Sequence, residues 1–142
     1  MRSKTPLVLM EQLVMVLVFA LAAALCVQAF VLADHRSEQV ETLDRALLEA
    51  QNAAETLKSC GGDYPETAEL CRGIWDGTAL RIFYSADWQR EQEGTAVYTL
   101  TVVPVKSEYT LLGRAEVMVS DRNGAPLCTL PVAWQEVDSH AE

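Results

Sequence analysis

The 142-residue chain carries 20 Asp+Glu against 11 Lys+Arg, a formal charge of -9, and half of its residues are hydrophobic. Arg2 and Lys4 precede the first long apolar stretch, and Glu11 is the only acid that does, so the remainder is more acidic than the whole. An acidic folded part argues against nucleic-acid binding, which needs basic surface to displace counterions, and the length leaves room for one modest core besides the apolar segment.

Residues 7–33 are predicted to be a transmembrane helix, preceded by a basic start with Arg2 and Lys4. From Leu13 to Ala33 no residue is charged and only Gln28 interrupts the apolar run; at 1.5 Å per residue this helix spans roughly 31 Å, close to a bilayer's hydrocarbon thickness. Basic residues before the run and Asp34, Glu38 and Glu41 after it favour a single-pass cell-membrane protein, N-terminus cytoplasmic and C-terminal domain extracytoplasmic. A cleaved secretory signal is the rival, since Val31-Leu32-Ala33 ends in a small residue, but signal peptides usually have an apolar part of about 7–15 residues. A lipid-attachment reading at Cys26 is weaker, because the bulky residue of Ala23-Ala24-Leu25 is in the wrong place. Glu11 has two readings: a carboxylate at membrane depth, costly and therefore functional, or a wetted headgroup residue if the hydrocarbon begins near Leu13.

The run Pro6-Leu7-Val8-Leu9-Met10-Glu11-Gln12-Leu13-Val14-Met15-Val16-Leu17 resembles the start of type IV pilins and pseudopilins. That family has a short basic leader, an apolar first mature residue, glutamate as the fifth mature residue and an unbroken apolar helix. The resemblance covers roughly residues 2–33 and implies a processing junction between Pro6 and Leu7, with Glu11 as the assembly glutamate. It also implies other pilin-like subunits, assembly-platform proteins and membrane lipid as partners. One departure stands at the junction, where the family has glycine and this chain has Pro6; without cleavage, the new α-amino group at Leu7 is not formed.

Residues 34–60 continue as an extracytoplasmic amphipathic helix, with Val40, Leu43, Leu47, Ala50, Ala54 and Leu57 on one narrow stripe. Gly61-Gly62 ends it. Packing against a sheet is preferred to a coiled coil, because the alanines suit close approach and the heptads are few. A loop follows over 61–77, then a head and tail over 78–142. Strand patterns run through Thr78–Trp88, Thr95–Val105, Leu111–Ser120 and Leu127–Glu136, the last with Cys128, Leu130, Val132 and Trp134 on one face. An Asn123-Gly124 turn suggests an antiparallel meander. Pro104 and Pro131 lack a ladder donor, which assigns them to strand ends or edges. The expected fold is α+β, a long N-terminal helix packed on a four-stranded antiparallel sheet, as the pilin resemblance also implies.

Cys60 and Cys71 bracket a polar loop, so a disulfide between them is geometrically easy and persists outside the cytoplasm; two free thiols are the alternative. Cys26 reads as an apolar helix residue and Cys128 as an inward strand residue. No metal site or other cofactor is expected, because His35 and His140 lie far from the cysteines and no Cys-x-x-Cys occurs. Asp34 beside His35 reads as solvated interface. No enzyme is expected: the nucleophile elbow, the phosphate-binding glycine loop and the His-Glu-x-x-His motif are absent. Asp87, Glu91 and Glu93 read as a solvated turn rather than paired catalytic carboxylates. Trp75, Trp88 and Trp134 are candidates for core or for a ligand surface.

These readings lead to a pilin-like or pseudopilin-like subunit, of minor type, in a type IV pilus, type II secretion or DNA-uptake assembly. The alternative is a single-pass anchored binding or sensor module that does not polymerise. A secreted enzyme or inhibitor with a mature start near Asp34 is a third reading.

Overall fold

A computed structural model describes residues 5–136; of Thr5 only the backbone is described, and His140 lies outside that range. Between Leu7 and Ser59 the sequence has no glycine and no proline, and it is rich in alanine, leucine, methionine and glutamate, all good helix formers. The result is α1, Thr5–Ser59. Pro6 is tolerated because it falls in the first turn, where a backbone N–H has no intrahelical acceptor.

The chain divides into two compact units, Met1–Glu41 and Thr42–Glu142. In the first, α1 exposes its large apolar side chains to the surroundings: Leu13 is 68%, Phe19 77% and Phe30 76% exposed. This stretch is long and apolar enough to cross a membrane.

In the second unit, the remainder of α1 packs on a sheet. Ala46, Ala50, Ala53, Ala54 and Leu57 are buried, and the alanines let the helix approach closely. The expected stripe is right from Ala50 onward; Leu43 and Leu47 are 44% and 40% exposed, and Ala46 is buried instead. The helix ends as a Schellman motif, in which Gly62 N donates to Leu57 O at 2.9 Å and Gly61 N to Lys58 O at 3.0 Å. Both glycines have positive φ, 63° and 90°, a region L-residues rarely adopt.

The expected loop over 61–77 instead contains α2, Tyr64–Cys71, and β1, Ile74–Trp75. Asp63 caps α2, its side chain accepting from Glu66 N at 2.9 Å, and a proline stands in the first turn. Then follow β2 (Leu80–Tyr84), β3 (Tyr98–Pro104), β4 (Leu112–Asp121) and β5 (Pro126–Gln135). The sheet order is β1-β2-β3-β4-β5 and every neighbouring pair is antiparallel. Among the described residues the meander therefore has five strands rather than the expected four, the extra one being the two-residue β1. Leu80, Ile82, Leu100, Val102, Val117 and Val119 are fully buried on the face toward α1. Cys128 sits opposite Val119, Leu130 opposite Val117 and Val132 opposite Ala115, so β5 faces inward as its alternation predicts. Pro104 closes β3 and Pro131 lies on an edge strand. The β4–β5 loop is a three-residue hairpin turn: Gly124 N donates to Asp121 O, Asp121 N to Ala125 O, and Gly124 has φ 81°.

Candidate functional site

Pro6, Leu7 and Glu11 lie in the first turns of α1. Leu7 is 75% exposed, and Glu11 is exposed among Leu7, Val8, Met10, Val14 and Met15. Among the described residues none makes an ion pair or hydrogen bond with Glu11. A carboxylate set among apolar side chains is costly at membrane depth unless it meets a donor.

The expected Cys60–Cys71 disulfide is not formed; all four cysteines are free thiols. Cys60 is the half-buried C-cap of α1, whereas Cys71 is the buried last residue of α2. α2 sets Cys71 at the end of a helix rather than in a pliable loop, and Cys60 stays near enough for its charge to act on the Cys71 thiol. Burial pushes the Cys71 thiol above its usual value, opposed by a hydrogen bond with the Thr56 side chain and by the nearby charge of Arg90. Burial likewise pushes up Cys128. Both are therefore poor nucleophiles near neutral pH. Cys26 is exposed on the apolar helix.

The three tryptophans do not share a surface. Trp134 is 8% exposed, edge-to-face with Tyr64 at 6.4 Å, and Tyr64 stacks on Trp75 at 4.8 Å. The Trp134 indole occupies the space where Gly62 and Gly113 would carry a Cβ. Its Nε1 and the Tyr64 hydroxyl are buried without a hydrogen-bond partner among the described residues. Burial, then the charge of Glu136, pushes the Tyr64 phenol above its usual range.

Trp88 belongs to a second aromatic group. It stacks on Tyr98 at 4.3 Å with planes 6° apart and lies 5.7 Å from Tyr84. Its φ of 59° is in the left-handed region, costly for a bulky residue. The turn that holds it is tied by Ser85 N to Gln89 O at 2.8 Å and Trp88 N to Ser85 O at 3.1 Å. Arg90 covers the Tyr84 ring at 4.5 Å, a cation–π contact.

Tyr84 also bridges sheet and helix, its hydroxyl donating to Glu49 Oε2 at 2.8 Å. Burial, reinforced by that bond, pushes the phenol well above the usual tyrosine range, so Tyr84 remains a neutral donor. Tyr84→Phe removes the bond and leaves Glu49 half-exposed and rehydrated, so the expected loss is about 1.5 kcal/mol. Calorimetry of the full chain in detergent should show a lower midpoint for the variant. The sequence signals amphipathicity at Glu49 and Tyr84 but not that they meet.

Of the acidic residues near the hairpin, Glu91 is held within its own loop. Glu91 Oε1 accepts from Gln92 N at 3.1 Å and Thr95 Oγ1 at 2.9 Å, while the Asp87 backbone donates to Ser85 Oγ. His35 lies 3.9 Å from Glu38 on exposed helix surface.

No protein-family model matches the chain, and no match is found among curated proteins or solved structures.

Proposed function

We propose that the chain is a pilin-like or pseudopilin-like subunit, of minor type, in a type IV pilus, type II secretion or DNA-uptake assembly, and not an enzyme. The observation that carries this reading is Glu11, a carboxylate without a partner among the described residues near the start of an exposed apolar helix. The helix leads into an α+β head, the architecture expected of such subunits. Crosslinking of the full chain in its native membranes tests the proposal. Adducts with other pilin-like subunits or assembly-platform proteins support it; a mature N-terminus at Asp34, which would remove Glu11 altogether, overturns it. Pro6 supports the second reading, an anchored binding or sensor module, because a chain left uncleaved keeps its leader and forms no amine at Leu7.

In this reading residues 34–142 lie outside the cytoplasm. Protease added to intact spheroplasts should digest the head, and inside-out vesicles should protect it; the opposite pattern rules out this orientation.

A further inference from the structure

β5 is a long edge strand: among the described residues nothing pairs with it on the side away from β4. From Pro126 to Gln135 it contains no charged residue. An uncharged edge of this length is a template for another strand unless something blunts it.

The direction of each backbone group on β5 follows from its ladder. Glu136 N donates to Leu111 O at 3.0 Å, and along an antiparallel strand alternate residues turn N–H and C=O to the same side. Trp134, Val132, Leu130 and Cys128 therefore direct their backbone groups toward β4, and Gln135, Ala133, Pro131 and Thr129 direct theirs away. Pro131 falls in the middle of the free edge, and the donor its ring eliminates is an outward one. At the other end the register shifts between Val119 and Ser120. There Asp121 N donates to Ala125 O at 3.0 Å, so the next residue, Pro126, also faces its missing donor outward. Neither proline removes a bond from the sheet, and both interrupt the edge.

We propose that Pro131 is a gatekeeper that prevents a second copy of this chain from adding its β5 antiparallel to this edge. A two-fold pair centred on residue 131 needs that residue's N–H to reach the same residue's carbonyl in the other copy. Proline has no such N–H, and its ring fills the approach. With no charge on the strand to repel a neighbour, the proline carries the block at its centre. This device is independent of Glu11 and of the apolar segment, so the two proposals succeed or fail separately.

The test compares full-length wild type, Pro131→Thr, and Pro131→Thr combined with Thr129→Lys in detergent micelles, by sedimentation and amide hydrogen exchange. In wild type the outward amides of Thr129, Ala133 and Gln135 should exchange fast while those of Leu130 and Val132 are protected. Pro131→Thr should add a concentration-dependent associated species and slow the outward amides by about tenfold or more. The added lysine should restore wild-type behaviour, because an edge charge opposes pairing. If Pro131→Thr disturbs β5 itself, Pro131→Ala restores the N–H with a smaller change and gives the deciding comparison. Outward amides already protected in wild type, or a proline variant indistinguishable from wild type in both measurements, overturn the proposal.

Discussion

Trp134→Ala is expected to destabilise the head by about 3–5 kcal/mol, the range for deleting a large aromatic from a core. Trp134 is buried between the backbones of Gly62 and Gly113 and meets Tyr64 edge-on. The lower end of that range is the better expectation, since the substitution also removes an indole N–H that has no hydrogen-bond partner among the described residues. In a domain of this size the melting midpoint should fall by roughly 15 °C, read by circular dichroism on the full chain in detergent. Gly113→Ala approaches the same contact from the other side, driving a Cβ into the indole, with an expected cost of about 1–3 kcal/mol. The two changes should not add: once the indole is gone the new methyl has space, so Gly113→Ala in the Trp134→Ala background should cost much less. Equal costs in both backgrounds would show that the indole is not held where the structure places it.

Glu11→Ala should separate anchoring from assembly. The change makes the apolar helix more uniform, so the fraction of chain recovered in membranes should be equal or higher. Under the proposed assembly role, association with partner subunits should fall, because a carboxylate that would meet a donor on a neighbouring helix is gone. An unpaired charge costs about 2.5–3.5 kcal/mol at the bilayer centre and less toward its edge. Even a residual coupling of about 1.4 kcal/mol corresponds to a tenfold drop in partner recovery. Crosslinking yields in the native host, with membrane fractionation as control, give the measurement. Unchanged recovery would remove the assembly role of Glu11 and favour the anchored binding module. Pro6 sharpens this test, since an uncleaved chain forms no amine at Leu7 and the donor must then be another group of the partner.

The long helix, its stop at Gly61-Gly62 and the four main strands were legible because each rests on a local regularity: absence of breakers, a glycine pair, and alternation of apolar residues. The inward facing of β5 was legible for the same reason. α2 was missed although its signal is present, in Asp63 followed by Glu66 three residues later with Pro65 between. Adjacent glycines and a proline made the segment read as loop. β1, with two residues, is too short for any periodic pattern. Leu43 and Leu47 fit the apolar stripe by spacing, yet the sheet packs against Ala46 and Ala50; which of two adjacent stripes is covered depends on a tertiary partner that periodicity does not encode. Of the candidate residues, Glu11 was visible as a lone charge. The Glu49–Tyr84 bond and the left-handed Trp88 were not, because one joins residues 35 apart and the other is a property of a closed turn.

Because the strands lie in space in the order they occur in the chain, each pairing joins near neighbours in sequence and has a small entropy of closure. The longest-range contact of the head is the docking of α1 onto the meander, where Ala46 and Ala50 share a core with strands that come long after them. Until that docking occurs, the alanine face of α1 and the inner face of the sheet both remain wet. Substitutions at Ala46 or Ala50 should therefore slow the arrival of the native head, whereas substitutions at Pro126 or Gly124 should alter only the early β4–β5 hairpin.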